Sequence, residues 1–235
     1  MTIRAVIFDF FGTLVDDFVA ATGQMTPDLA TAVNAPHEQF IELWRKTTSL
    51  RIDGTFQSVE AAIEHVCSTI GVEISAEQMK NAVELRMQQI SGAFVPKPDA
   101  VETVRQLKDS GYKIGVLSNC SIEIPLLWAE SPFSQLGDSA VFSSREHLKK
   151  PDPRIFDLAC KRLDEIPHQC LYIADGENHE LSVARSIGLH PVLIRNSFAS
   201  RRKELFREAT EWDGLAISSL SEVLNVLNAA AVRET

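Results

Sequence analysis

The stretch Arg4-Ala5-Val6-Ile7-Phe8-Asp9-Phe10-Phe11-Gly12-Thr13-Leu14 decides the fold. Its first half is a short apolar run of β-branched and aromatic residues, which reads as a buried strand. The run ends on a carboxylate, Asp9, and Gly12 and Thr13 then close it. Asp is common where a strand enters a turn, so Asp9 alone has two readings: a turn former, or a reactive group at the mouth of a sheet.

The rest of the chain favours the second. From Pro96 onward helices and strands alternate. The helical pattern Asp99–Gly111 precedes the strand-like run Tyr112–Asn119, and a helix around Ile124–Ser134 precedes Ala140–Ser144. Pro153–Leu163 precedes Cys170–Asp175, and His179–Gly188 precedes His190–Arg195. A further strand over Leu215–Ser219 and a helix over Ser221–Ala230 follow. This alternation predicts an α/β fold: a doubly wound parallel sheet with a Rossmann-like core. Between about Thr26 and Gly92 the character differs, with apolar residues at helical spacing over His37–Arg51, Ser58–Val72 and Ser75–Gly92 and no strand signal. Ser58 and Ser75 fit helix N-caps, and Gly71 and Gly92 fit helix stops. The stretch reads as an inserted all-helical cap. The expected organisation is a catalytic core of residues 1–16 and 95–235 and a cap of residues 17–94.

Composition bounds the function. The chain has 235 residues, a net charge of −9, 45% hydrophobic and 23% charged residues, ordinary for a soluble globular protein. The acidity argues against nucleic-acid binding, which needs clustered Lys and Arg. No segment has the length or purity of a membrane span, so no membrane partner is expected. Cys67, Cys120, Cys160 and Cys170 show no metal spacing. With no signal-type N-terminus, a reduced cytoplasmic protein acting on a small molecule is expected.

In doubly wound sheets the ligand sits beyond the carboxyl ends of the strands. Asp9, Ser118, Asn119 and Asp175 all stand at such ends, so polar groups from three strands should converge in one crevice. Asp175 closes the apolar run Leu171–Ala174, and a carboxylate there needs a partner.

These residues carry a resemblance. In order along the chain, Asp9-Phe10-Phe11-Gly12-Thr13-Leu14, Leu117-Ser118-Asn119, Lys150-Pro151-Asp152-Pro153 and Ile173-Ala174-Asp175-Gly176-Glu177-Asn178-His179-Glu180 are similar to the four motifs of the haloacid dehalogenase superfamily. The likeness spans almost the whole chain, helical cap included. It implies that Asp9 is a covalent nucleophile, that Lys150 keeps it ionised, and that Ser118, Asn119 and the following backbone N–H groups meet a substrate oxygen. It implies substrate contacts from Phe11, Gly12, Thr13 and Cys120. It also implies a Mg²⁺ ion held by Asp9, the Phe11 carbonyl and Asp175, with Glu180 in support. In the cap, Trp44, Arg45, Lys46 and Arg51 form a basic, aromatic stretch. Either Arg45 and Arg51 reach the substrate, or the stretch is a solvated face with Trp44 packed beneath it.

Phe11 departs from the pattern. Phosphatases of the superfamily carry a second Asp there, as acid and base, and Phe cannot move a proton. Losing such a group typically costs ~10²–10⁴ in rate. Dehalogenases of the superfamily have an aromatic residue at this position and need neither leaving-group acid nor metal. Three readings stay open: Mg²⁺-dependent hydrolysis of a small phosphorylated metabolite, which leads; 2-haloacid dehalogenation with Arg45 or Arg51 clamping the carboxylate; and a catalytically weak binding protein.

Overall fold

A computed structural model describes residues 2–16, 25–195 and 204–232. Six parallel strands make one sheet: β1 (Ala5–Phe8), β2 (Lys113–Ser118), β3 (Ser139–Phe142), β4 (Cys170–Ala174), β5 (His190–Ile194) and β6 (Ala216–Ile217). Their order is β3-β2-β1-β4-β5-β6, the doubly wound arrangement expected. The winding reverses between β1 and β4, which is where such sheets open a ligand crevice. Phe8 lies level with both Val116 and Ile173, so Asp9, Ser118 and Asp175 leave the sheet at nearly the same height.

Twelve α-helices lie among the described residues. The insert contributes α1 (Met25–Ala32), α2 (His37–Lys46), α3 (Thr48–Ile52), α4 (Val59–Thr69) and α5 (Ala76–Ser91). The core adds α6 (Ala100–Asp109), α7 (Glu123–Leu127), α8 (Ser143–Glu146), α9 (Pro153–Arg162), α10 (Glu180–Ser186), α11 (Arg207–Glu211) and α12 (Glu222–Val232). Alternate residues of β1 face opposite sides of the sheet. Val6 and Phe8 pack on one side with Val104 and Leu107 of α6 and Val223 and Leu227 of α12. Ala5 and Ile7 pack on the other with Ile155 and Phe156 of α9 and Leu181 and Ala184 of α10. Both faces are therefore covered, which explains why β1 is apolar throughout.

The cap has its own core, including Leu29, Phe40, Trp44, Ile63, Val66 and Ala82. Its helix starts follow the expected capping chemistry. The Ser58 hydroxyl accepts from Ala61 N at 3.1 Å, and Ser75 with Gln78 forms a reciprocal capping box. The chain re-enters the core through a short antiparallel contact of Val15 with Pro96, and Lys97 N donates to Leu14 O at 2.9 Å.

Two expected helices are broken. The run from His37 to Arg51 splits at Thr47 into α2 and α3, because the Thr47 hydroxyl turns back onto Leu43 O at 2.9 Å and its backbone leaves helical geometry. The helix expected over Ile124–Ser134 stops at Leu127 and continues as two 3₁₀ turns. Pro132 separates these two turns: it lacks a donor and forces Ser131 extended, at ψ 136°.

Candidate active site

The site is built on the loop that follows β1. Asp9 N donates to Ile173 O at 2.9 Å, which ties the loop to β4. Phe10 is fully buried and meets the rings of Phe94, Trp128 and Phe133 edge-on, with centroids 5.6, 5.5 and 6.2 Å away. Burial of such a side chain is worth roughly 1.5–3 kcal/mol, enough to hold the loop in place. Gly12 turns the chain at φ +79°, a left-handed conformation that favours glycine. Thr13 then donates its hydroxyl to Asp9 Oδ2 at 3.1 Å.

Lys150 comes from the segment before α9 and completes a buried network. Its ammonium lies 2.5 Å from Asp9 Oδ1, 2.6 Å from Glu180 Oε2 and 3.2 Å from the Tyr172 hydroxyl. Tyr172 in turn donates to Glu180 Oε2 at 2.7 Å. Burial works against the Lys150 ammonium, but Asp9 and Glu180 outweigh it and hold its pKa above the ordinary lysine value. Burial pushes the Asp9 carboxyl up to about 6, although Lys150 pulls it down, with Glu180 adding to the rise. Asp175 is pushed well above the usual carboxylate range, first by burial and then by Asp9 and Glu180.

The fold brings Asp9, Lys150, Asp175 and Glu180 together. Ser118 is buried beside them at the end of β2. Asn119 has a different engagement from the one expected. Its side-chain amide brackets the Lys150 backbone, donating to Lys150 O at 2.9 Å and accepting from Lys150 N at 2.8 Å. It thus positions the lysine. The Cys120 N–H is likewise spent, on the Ser143 hydroxyl at 2.9 Å, and that hydroxyl donates to Ile52 O of the cap at 2.6 Å. Burial drives the Cys120 thiol up to about 12, so it is a small packed group and not a reactive one. Arg45 is exposed on α2, whereas Arg51 is buried. Arg51 stacks on Trp44 at 4.1 Å and donates to Trp44 O at 2.8 Å. It lines a crevice at the seam of cap and core with Phe56, Ser58, Ser121 and Glu123. Trp44 is itself 4% exposed, packed inside the cap. Beside that crevice Arg86 of α5 pairs with Glu123 of α7 at 2.7 Å, a buried ion pair joining cap to core.

Asp9, Asp175 and Glu180 each place a carboxylate oxygen within 4.8 Å of the others, the composition and spacing of a group that could hold a metal ion. Their bonding narrows this. A carboxylate offers about four acceptor positions. Glu180 fills them with Lys150, Tyr172 and the Gly176 and Glu177 N–H groups, the last two at 3.2 Å. Glu180 is thereby committed to the protein's own donors, and Asp9 and Asp175 are the members of the group that would meet a cation.

Two participants were not picked out from the sequence. Tyr172 sits inside β4, where an aromatic residue reads as core. Lys97 sits in Val95-Pro96-Lys97-Pro98, at the return from the cap, and its ammonium donates to the Gly12 carbonyl. The one signal was a charged residue between two prolines at an expected domain junction.

The fold and this network define a capped α/β hydrolase. The family model of haloacid dehalogenase-like hydrolases matches residues 3–188, and the chain belongs to that family. An (S)-2-haloacid dehalogenase from Pseudomonas putida is 26% identical over 240 residues, covering 96% of both chains. A crystal structure of a dehalogenase is 26% identical, with a TM-score of 0.60 over 96% of this chain and 97% of the other. A phosphatase of the same superfamily from Thermococcus onnurineus, 18% identical, shares the fold with a TM-score of 0.67 over 96% of this chain and 98% of its own. No helix among the described residues is long and apolar enough to cross a membrane.

Proposed function

We propose that this chain hydrolyses a small 2-halo carboxylic acid by nucleophilic displacement, without a metal. The observation that carries the reading is Phe11, which stands where a leaving-group acid would be needed for a phosphate ester. Halide departs as a stable anion and needs no proton. The names of the relatives that span nearly the full chain support it. Asp9 attacks C2, the carbon–halogen bond breaks with its electron pair on the halide, and an aspartyl ester forms. Water then attacks the ester carbonyl, the acyl C–O bond breaks, and Asp9 and a 2-hydroxy acid are released with one proton. Lys150 holds Asp9 in place, with one carboxylate oxygen on the ammonium and the other on Thr13. This reading assigns the substrate carboxylate to Arg51, the buried cation at the cap–core seam.

Hydrolysis of a small phosphorylated compound is the second reading. It is favoured by Asp175, a buried carboxylate close to Asp9. A panel separates the two: a 2-chloro acid and an aryl phosphate, each with and without EDTA. Chloride release unaffected by EDTA is the expected result. Phosphate release abolished by EDTA would replace the first reading by the second, and inertness towards both would overturn both.

A pH dependence follows from the same geometry. Only ionised Asp9 attacks, and its pKa is raised to about 6. Activity is therefore present above that value and lost as pH falls through it. The acid limb of kcat/KM is expected near pH 6. A limb below pH 5, about where an unperturbed carboxylate titrates, would contradict the burial of the nucleophile.

A further inference from the structure

The carboxylates around the nucleophile outnumber the cation paired with them. Asp9, Asp175 and Glu180 are 6%, 4% and 1% exposed, and Lys150 is the buried ammonium bound to two of them. Charged groups out of water need compensation close at hand, and an incoming anionic substrate would deepen the deficit. A second ammonium, that of Lys97, is held on the turn that follows Asp9. Lys97 is half-buried where the cap returns to the core. Its backbone N–H is fixed on Leu14 O at 2.9 Å, and its side chain donates to the Gly12 carbonyl. Gly12 belongs to the turn that wraps Asp9, and the next residue, Thr13, donates to the Asp9 carboxylate at 3.1 Å. Burial draws the Lys97 ammonium down from its ordinary pKa, while Asp175, then Asp16, Asp9 and Asp99, oppose that pull. Of these carboxylates, Asp175 acts on it most strongly.

We infer that Lys97 is a tethered counter-cation for Asp9 and Asp175, carrying from the cap hinge the positive charge that a divalent ion would otherwise bring to those two carboxylates. It is a positioning residue that sets the charge of the site. Its backbone is anchored beside the Val15–Pro96 contact between cap and core, and its ammonium is held on the Gly12 carbonyl of the nucleophile loop. This inference rests on the metal-independent reading above and makes that independence a property of one side chain.

The test compares the native chain with Lys97→Met and Lys97→Arg, reading Mg²⁺ binding by calorimetry and chloride release from a 2-chloro acid. Melting curves establish that each variant is folded. The native chain should show no saturable Mg²⁺ binding at millimolar metal. Lys97→Met should gain saturable binding, which a second substitution, Asp175→Asn, should remove. Its metal-free kcat/KM should fall at least tenfold, and Lys97→Arg should retain most of the native rate and bind no Mg²⁺. Native chain that already binds Mg²⁺ as tightly as Lys97→Met would overturn the inference. So would a Lys97→Met variant that stays fully active and binds no metal. If native protein releases no chloride, the dehalogenase reading fails on its own, and the metal titrations still decide the role of Lys97.

Discussion

Lys150→Met is expected to cost the fold about 3–5 kcal/mol and to leave almost no activity at neutral pH. The stability loss comes from what stays behind. Lys150 lies 2.5 Å from Asp9 and 2.6 Å from Glu180, all three buried. Removing the ammonium strands two carboxylates in a low-dielectric interior, and breaking a buried pair in that way costs on the order of 3–5 kcal/mol. The activity loss has a second cause. Lys150 is the main influence holding the Asp9 pKa down against burial, which already places it at about 6. Without it the carboxyl rises further, stays protonated at pH 7, and cannot attack. The acid limb of the rate profile should therefore move to higher pH in a variant that folds. Lys149→Met is the control. Its ammonium donates to the Ser49 hydroxyl in the cap and touches none of the buried carboxylates. Urea unfolding and pH–rate profiles of the two variants check the expectation. Equal effects from Lys149 and Lys150 would remove the buried network from the account of catalysis.

How much of this was legible in the sequence depends on where each residue's determinants lie. Asp9 and Asp175 could be read because each ends an unbroken apolar run, and strand ends of a wound sheet share one edge. Lys150 could be picked over Lys149 only by its place before Pro151-Asp152-Pro153. The ammonium reaches Asp9 through the Asn119 amide that brackets its backbone, a contact across 31 residues that no local pattern encodes. Asn119 was legible as a site residue but not in what it does. Strand-end Asn is as able to hold the protein's own backbone as a ligand, and only the fold decides between them. Lys97 was missed for a related reason. Its importance comes from the Val15–Pro96 contact, which brings the end of the cap back to its beginning. A lysine between two prolines in a junction has the local look of a solvated linker.

The cap shows the same division. Ser58 and Ser75 announced their helices because capping is a local competition for backbone donors. Trp44 and Arg51 had two readings in the sequence, and tertiary packing chose. The indole went into the cap core and drew Arg51 over it, leaving Arg45 exposed. The long helix read across His37–Arg51 failed at Thr47, where a hydroxyl bonding back to Leu43 O and Trp44 O competes with the next helical turn. Periodicity reports which face is apolar; it does not report such a competition within one turn.

Asp9→Asn is expected to lower turnover by about 10⁴-fold or more, the scale on which deletion of a covalent nucleophile acts, while leaving the protein folded. The contrast with Lys150→Met lies in what each change leaves unpaired. Asn is nearly the same shape and can still accept from Thr13. Lys150 keeps Glu180 at 2.6 Å and Tyr172 at 3.2 Å, so no buried charge is left alone. Loss of activity without loss of stability is thus a signature of chemistry at position 9. An isotope experiment then separates covalent attack by Asp9 from its use as a base for water. A single turnover of a 2-chloro acid is run in H₂¹⁸O with enzyme in excess. If Asp9 forms an ester that water opens at the acyl carbon, the hydroxyl oxygen of the product comes from Asp9. The product is then unlabelled, and ¹⁸O appears in the peptide containing Asp9. If Asp9 only draws a proton from water that attacks C2 directly, the product carries the label and Asp9 does not. The bonding of Asp9 favours the first outcome. Both Asp9 oxygens are already held, one by the Lys150 ammonium and one by Thr13, which fixes the carboxylate in one orientation and holds its charge in place for attack on carbon. Label in the product hydroxyl would show that this network orients a base, and the aspartyl ester would have to be given up.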